Sequence, residues 1–157
     1  MSVKRDADQH RVYVSGLDED KELEIATEGL RDSVYIEKCT KGVIRVTGKF
    51  NALTINNCKG VGIVFDTAVA IAEVVNSQKI QLQVTGSCPT IVVDKSFQVV
   101  IYASETVKKE SRVVTSSSVG VNFMVPEGDD MKEYYIPEQI VSQIIDGKFV
   151  SKVNEEK

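Results

Sequence analysis

A chain of 157 residues with 42% hydrophobic side chains is long enough for one sizeable core and too short for two ordinary domains. Its formal net charge of −4 offers no basic field for nucleic acid, and no apolar stretch approaches the roughly 20 residues of a membrane-spanning helix. We therefore expect one soluble domain over residues 1–157, with no nucleic-acid partner and no membrane insertion. Residues 1–10 are polar and lack the apolar core of a signal peptide, which indicates the cytoplasm.

From Val34 onward, apolar residues recur every nineteen positions, with one wider spacing of twenty-two before the last row. Within a row, apolar and polar residues alternate, as in Ile80-Gln81-Leu82, which is the period of a β-strand with one buried face. The inward columns are Val34, Leu53, Ala72, Ile91 and Val113; Ile36, Ile55, Val74, Val93 and Thr115; Gly42, Val61, Ile80, Val99 and Val121; Ile44, Ile63, Leu82, Ile101 and Phe123; and Val46, Phe65, Val84, Ala103 and Val125.

Each row predicts two short strands, which cannot bury their apolar face without a neighbouring row. Stacked rows pair their strands in parallel, about 4.8 Å apart. The predicted fold is all-β, a right-handed parallel β-helix of about five to six coils over residues 12–125, with its handedness taken from the crossover rule. Leu23 and Ile25 predict a partial first coil that caps one end, and the extra residues within Ser104–Arg112 predict a bulging loop.

A column of turn residues separates the two strands of each row. It is followed by a column of small residues, in which Cys39 and Cys58 are expected to stack in the same corner. Asn tolerates unusual turn dihedrals and small residues allow a tight corner, so both columns are interpreted as structural. The turn column contains Lys38, Asn57, Asn76, Lys95 and Ser117, and the small column contains Cys39, Cys58, Ser77, Ser96 and Ser118.

The repeat ends at Pro126. Residues 126–139 are expected to form a connecting segment, and residues 140–153 a hairpin around Asp146-Gly147, a dipeptide suited to a tight turn. An isolated hairpin is marginal in water, so this one must lie on the coil or on a partner subunit. The apolar residues assigned to a homodimer contact are Ile140, Val141, Ile144, Ile145, Phe149 and Val150.

Catalytic and metal-binding patterns were not found in the sequence. His10 is the only histidine, so neither a Ser-His-Asp triad nor a multi-histidine metal site can be assembled. The outward column of the five rows, Val43, Gly62, Gln81, Val100 and Asn122, contains no carboxylate for glycoside cleavage. We expect no enzyme activity, no cofactor and no metal. Lysines near one corner form either a basic stripe or an ordinary solvated face: Lys38, Lys41, Lys59, Lys79 and Lys95.

Four ordered segments resemble the C-terminal β-helix domain of the adenylyl cyclase-associated protein family. The longest is Leu53–Asp66, with the sequence LTINNCKGVGIVFD, and VVNS at 74–77 continues it in register. CPTI at 88–91 is similar to that family's link between coils, and IPEQ at 136–139 is similar to its motif before the terminal hairpin. The resemblance extends from about Val12 to Val153. The helical domain, proline-rich linker and WH2 segment of longer members have no counterpart here, so cyclase binding is not expected.

The resemblance implies a domain that binds monomeric actin, preferentially with ADP, promotes exchange of its nucleotide for ATP and so regulates filament turnover. It also implies a homodimer that exchanges the terminal hairpin, and an association with the cytoskeleton. Surface residues assigned to actin binding on this basis are Asn56, Lys59, Glu73, Lys79, Lys95, Tyr134, Pro137, Glu138 and Gln139.

Two other functions stay open. Tubulin-folding cofactor C and its relatives share this repeat and activate GTPases with an arginine, and Arg45 is the only arginine that the sequence places inside the five rows. No glutamine-rich arginine motif like that family's surrounds Arg45. The third hypothesis is a purely structural dimerisation module, which would leave the lysines of the corner without a role.

Overall fold

The computed structural model describes residues 1–154 and is 69% strand and 4% helix, which confirms the all-β prediction. The chain winds into a β-solenoid of about six turns. Its elements are β1 (Ser2–Asp6), β2 (Arg11–Ser15), β3 (Asp18–Ala26), β4 (Ser33–Glu37), β5 (Lys41–Thr47), β6 (Phe50–Asn56), β7 (Gly62–Val75), β8 (Gln78–Ser87), β9 (Thr90–Asp94), β10 (Phe97–Tyr102), α1 (Glu105–Glu110), β11 (Arg112–Ser116), β12 (Val119–Glu127), β13 (Asp130–Tyr135), β14 (Ile140–Ile145) and β15 (Lys148–Val153).

Two parallel ladders run along the stack. The first ladder joins β2, β4, β6, the second half of β7, β9 and β11, and the second joins β3, β5, the first half of β7, β8, β10 and β12. Ile63 is opposite Ile44 and Leu82, and Ile101 is opposite Leu82 and Phe123. The predicted columns and register are therefore confirmed, with β7 as one continuous strand that turns from one ladder into the other.

The inward columns form the core, which runs the length of the stack. Ile44, Leu53, Ile63 and Leu82 are fully buried, as alternation along their strands predicts. Each buried aliphatic side chain stabilises the fold by about 1.5–3 kcal/mol through removal of its apolar surface from water. If a strand were shifted by one residue against its neighbour, all of its inward side chains would turn toward solvent. Burial of these side chains therefore determines the register in which the strands of successive coils pair.

The first coil is complete, which corrects the prediction of a partial coil. β2 and β3 provide both of its strands, and Leu23 and Ile25 lie on β3 opposite Ile44 and Val46. The edge of β2 is covered by the antiparallel strand β1, which the sequence pattern did not indicate. This coil also adds Glu22 to the outward column, opposite Val43, so a column that was expected to lack carboxylates begins with one.

The insertion within Ser104–Arg112 forms the short helix α1 instead of a bulging loop. The Ser104 hydroxyl caps the helix by accepting a hydrogen bond of 3.1 Å from the backbone N–H of Val107, and Val107 is fully buried. Glu105 in the first turn and two lysines in the last turn complement the helix dipole. Among residues 1–154, no helix is long and apolar enough to cross a membrane.

One corner of the solenoid is built from residues in the left-handed backbone region. Gly16, Lys38, Asn57, Asn76, Lys95 and Ser117 have φ between 48° and 76°. The predicted turn column is confirmed, and the structure adds Gly16 from the first coil. A left-handed conformation costs roughly 1–2 kcal/mol for a residue with a Cβ atom. Such a repeated cost requires a compensating interaction at the same corner.

The adjacent small residues supply that interaction as a hydrogen-bond ladder. The Ser77 hydroxyl accepts from the Cys58 backbone N–H at 3.1 Å and donates to the Val75 carbonyl oxygen at 2.8 Å. The Ser96 hydroxyl accepts from Ser77 at 3.1 Å, and the Ser118 hydroxyl accepts from Ser96 at 3.2 Å. Each hydroxyl therefore joins two coils and satisfies an otherwise buried amide.

The tail is more ordered than the predicted connecting segment. β13 pairs antiparallel with β12 and covers the last strand of the second ladder. β14 and β15 form the predicted hairpin around Asp146 and Gly147, both with positive φ, and within the described chain these two strands pair only with each other. Ile144 is 75% exposed and Phe149 is 74% exposed, so these apolar side chains do not obtain cover from their own coil.

Candidate functional site

Three of the predicted surface lysines share one corner of the solenoid. Lys59, Lys79 and Lys95 are exposed on the third, fourth and fifth coils, within or just after the left-handed turn column. None of them forms an ion pair with another residue of the described chain 1–154. The structure therefore brings these residues together as three solvated positive charges without neutralising partners.

The three lysines occupy three different positions of the corner turn. Lys95 belongs to the left-handed turn column, whereas Lys59 lies two residues after that column and bridges to Gln78 on the next coil. Lys79 follows Gln78 and has a left-handed backbone, with φ of 55°. The predicted stripe is therefore a broad patch, with its charges spread over three successive coils and three different positions of the corner turn.

Asn56 and Glu73 lie beside this corner on the outward face of the first ladder. Asn56 ends β6 and is opposite Val75, while Glu73 is opposite Thr54 and Val92. Both side chains are half-buried between their strand neighbours. The structure brings them to the face that adjoins the lysines but shows no direct contact between them and the lysines.

Glu138 holds the tail to the last coil, and Gln139 holds the two ends of the hairpin together. The Glu138 carboxylate accepts a hydrogen bond of 2.9 Å from the backbone N–H of Gly120, which lies at the same corner one coil beyond Lys95. A hydrogen bond to Glu138 also raises the pKa of Tyr135. Gln139 accepts two hydrogen bonds of 2.9 Å from Asn154 at the end of the hairpin. Glu138 therefore lies at the same corner as the lysines, one coil beyond Lys95, and it attaches the tail to the last coil.

Tyr134 lies on a different side from the corner. It is opposite Phe123 on β12, where the open end of the core is covered by β13. The Lys132 ammonium lies 5.0 Å from the centre of the Tyr134 ring, and a hydrogen bond to Tyr134 raises the pKa of Lys132. Pro137 is exposed between this strand and Glu138. The predicted tail residues are therefore divided between the open end and the corner.

Two exposed apolar residues at the corner were missed by the sequence analysis. Phe97 is 47% exposed and Val119 is 55% exposed, and they are directly opposite each other on neighbouring coils. With Lys95, Gln98 and Ser117 they line a shallow groove of about 700 Å³. Their exposure could have been predicted from their column in the repeat. The corresponding residues on earlier coils, Thr40, Lys59 and Gln78, are all polar, which indicates an exposed position.

The arginine required by the GTPase hypothesis is engaged within the chain. The Arg45 guanidinium Nε lies 2.6 Å from the Glu22 carboxylate on the first coil. Within the five rows that begin at Val34, Arg112 is a second arginine in a strand, because the insertion ends before it and β11 begins with it. Its Nε donates to the Thr90 hydroxyl at 3.4 Å. The count of one arginine in the five rows was therefore wrong.

The hairpin presents an apolar surface distinct from the corner. Ile140, Ile144, Ile145, Phe149 and Val150 are all exposed, and Val141 is half-buried. Burial of such side chains in a partner interface would remove substantial apolar area from water. The predicted contact residues are therefore available for a second copy, on a separate element from the lysines.

Residues 2–156 match the family model described as "Adenylate cyclase associated (CAP) C terminal". Adenylyl cyclase-associated protein 2 of Rattus norvegicus is 42% identical over 118 residues, which cover 75% of this chain and 24% of the relative. The adenylyl cyclase-associated protein of Dictyostelium discoideum is 39% identical over 127 residues, covering 79% of this chain and 27% of the relative. The chain therefore spans about a quarter of the length of these curated relatives.

Among solved structures, the crystal structure of cyclase-associated protein from Cryptosporidium parvum has the same fold. Its TM-score with this chain is 0.89 at 30% sequence identity, and the match covers 98% of this chain and 94% of that one. The similarity therefore includes the coils, the tail segment and the hairpin together.

Proposed function

The chain belongs to the C-terminal domain family of adenylyl cyclase-associated proteins, and on that premise we propose that it binds monomeric actin through the lysine corner. The observation that supports this site best is the grouping of Lys59, Lys79 and Lys95, exposed and without ion-pair partners in residues 1–154. Unpaired surface charges steer association with an oppositely charged face and are sensitive to salt. The proposed partner surface on actin is therefore acidic.

The groove beside Lys95 supplies the apolar part of the proposed interface. Charged rims contribute mainly to the association rate, whereas buried aromatic anchors carry much of the binding free energy. Phe97 and Val119 are placed to act as such anchors, since both are exposed and opposite each other. Asn56 and Glu73 would contact actin from the adjoining strand face, and Pro137 from the tail.

We further propose that the domain prefers ADP-loaded actin and accelerates release of its nucleotide, without hydrolysing any. A partner shifts a conformational equilibrium only through a difference in affinity for the two states. Accelerated release therefore requires that the domain bind better to actin with a looser nucleotide cleft. This role would place the protein in the cytoplasm, in association with the cytoskeleton, as a regulator of filament turnover.

The domain is proposed to act as a homodimer joined by exchange of the hairpin 140–153. The exposed apolar residues of this hairpin support that arrangement, because two strands with so little cover are marginal on their own. Exchange of an identical element between copies supplies the cover with no additional sequence. It would also place two lysine corners in one particle, so that two actin monomers could be bound together.

Release of a fluorescent ATP analogue from monomeric actin tests this function against the GTPase hypothesis. The wild-type domain and Arg45→Ala should accelerate release equally, because Arg45 lies outside the corner and is paired with Glu22. GTP hydrolysis by a small GTPase and by tubulin is measured in parallel. Unchanged nucleotide release, together with accelerated GTP hydrolysis that Arg45→Ala abolishes, would replace the actin proposal with the GTPase alternative.

A further inference from the structure

Cys39 and Cys58 are stacked one coil apart in the small-residue column of the corner. Both are buried, and each occupies the position that Ser77, Ser96 and Ser118 fill on later coils. Neighbouring coils are about 4.8 Å apart, which lies within the range of roughly 4.4–6.8 Å between the Cα atoms of disulfide-bonded cysteines. The backbone spacing therefore suits a bond between these two side chains.

The corner does not need sulfur at these two positions. The serine hydroxyls accept their ladder hydrogen bonds at 3.1–3.2 Å, whereas the Cys39 sulfur accepts from the Leu17 backbone N–H at 3.4 Å. The Cys58 sulfur lies 3.5 Å from the Asn56 carbonyl oxygen and 3.8 Å from the Ile36 carbonyl oxygen. Sulfur makes weaker hydrogen bonds than a hydroxyl. The two cysteines therefore do not strengthen the ladder, and what distinguishes them from the serines is the reactivity of the thiol group.

The two side chains also influence each other's ionisation. Interaction with the Cys58 side chain lowers the pKa of Cys39, and interaction with Cys39, together with burial, raises the pKa of Cys58. The thiolate is the nucleophilic form of cysteine. Cys39 is thus the thiol that ionises first, and Cys58 is a protonated thiol at the same corner position one coil away.

Cys39 lies close to the end of the solenoid. Only the first coil follows beyond it, where Gly16 and Leu17 occupy the corresponding corner. β1, which covers that end of the first ladder, is exposed along most of its length. Terminal elements open locally at a much smaller free energy than the core, so transient opening of this loop gives a small oxidant access to Cys39.

We propose that Cys39 and Cys58 form a peroxide-reactive dithiol site that closes reversibly into a disulfide between the second and third coils. The Cys39 thiolate attacks one peroxide oxygen, which cleaves the O–O bond and leaves a sulfenic acid and, after proton uptake, water. The Cys58 sulfur then attacks the sulfenic sulfur, the S–S bond forms, and the hydroxyl leaves with the Cys58 proton as a second water. Two thiols lose two electrons and one peroxide gains them.

This inference does not depend on the proposed actin binding. The test treats the native full chain with hydrogen peroxide, alkylates the remaining thiols under denaturing conditions and digests with trypsin. Cleavage after Lys38, Lys41, Lys49 and Lys59 places Cys39 and Cys58 on separate short peptides. The expected product is a cross-linked pair of these peptides that is lost on reduction. Cys88 is buried at the opposite corner, and burial raises its pKa to about 11. It should therefore remain a thiol during the peroxide treatment and be alkylated afterwards.

Two variants and one unfolded control decide the result. Cys58→Ser preserves the ladder, since serine fills this position on later coils, and it should abolish the cross-link. Cys88→Ser should leave the yield of the cross-link unchanged. Full alkylation of Cys39 and Cys58 after peroxide treatment would overturn the proposal. It would also be overturned if the cross-link formed only in urea, or if the native protein joined Cys88 or a second chain instead.

Discussion

The backbone amide of Cys58 donates a hydrogen bond of 3.1 Å to the side-chain oxygen of Ser77, nineteen residues further along the chain. This single bond joins the third coil to the fourth at a buried corner where Asn57 and Asn76 have left-handed backbones. The same hydroxyl donates to its own strand, at the Val75 carbonyl oxygen. The ladder therefore links a local turn conformation to the stacking of coils.

Replacement of Ser77 by alanine should destabilise the protein by about 1–3 kcal/mol, because the Cys58 amide is left buried without an acceptor. Denaturant unfolding measures the loss. Ser116→Ala is the matched control, since its side chain is exposed on β11, and it should change the midpoint little. Equal midpoints for both variants would mean that the ladder does not hold the corner.

Leu82→Ala should cost about 2–5 kcal/mol, whereas the neighbouring Gln83→Ala should be nearly neutral. Leu82 is fully buried between Ile63 and Ile101, and Gln83 faces solvent from the same strand. Thermal or denaturant midpoints of the two variants provide the comparison. Comparable losses would contradict the strand register described above.

Asp32 should make stability depend on pH in the acid range. Burial would raise the pKa of its carboxyl, but hydrogen bonds from the Glu28 backbone N–H and the Arg5 guanidinium outweigh burial and hold that pKa below its ordinary value. His10 also faces this carboxylate, at 3.9 Å. A carboxyl with a lowered pKa stabilises the fold above its unfolded pKa of about 3.9, and this stability is lost as pH falls through the folded value.

Asp32→Asn should therefore be less stable than wild type at neutral pH by about 1–3 kcal/mol, the cost of losing charged hydrogen bonds. The difference between the two proteins should narrow as the pH falls below about 4. Urea midpoints of both proteins across this range measure it. A difference that stays constant with pH would show that the Asp32 charge contributes nothing to folding.

Sedimentation analysis should show a dimer for the wild-type protein at micromolar concentration. The double variant Ile144→Ser/Phe149→Ser should sediment as a folded monomer, because it removes the two most exposed apolar side chains of the hairpin. Val3→Ser, an exposed site at the opposite end of the solenoid, is the control and should stay dimeric. A wild-type monomer with its hairpin protected from protease would contradict exchange.

The coils could be predicted because their information is local and repeated. Ile44, Ile63, Leu82 and Ile101 recur at one spacing, and a single pattern of alternation specifies every register. The helix α1 could not be predicted in this way, because Ser104–Arg112 occurs once and has no neighbouring row for comparison. The local sequence signal of this helix is Ser104, a residue type suited to an N-cap, with the acidic Glu105 in the first turn after it.

The site was less accessible to sequence reasoning than the fold. The corner of Lys59, Lys79 and Lys95 follows from the repeat, but the attachment of Glu138 to Gly120 depends on how the tail folds back after β12. Phe97 belongs to a column that is polar on earlier coils, so the repeat indicates its exposure but not the groove that it forms with Val119. The repeat pattern contains no information on how β13 folds back against β12, or on the replacement of polar by apolar residues in the column of Phe97 and Val119.

Titration of labelled monomeric actin, loaded with ADP or ATP at matched salt, tests the central proposal most directly. Wild type should bind ADP-actin more tightly, and the triple charge reversal Lys59→Glu/Lys79→Glu/Lys95→Glu should raise Kd about tenfold or more, with a larger effect at low salt. The control triple Lys4→Glu/Lys49→Glu/Lys109→Glu makes the same charge change at exposed sites away from the corner and should bind nearly as wild type does. No binding by wild type, or equal losses in the two triple variants, would contradict actin recognition by this corner.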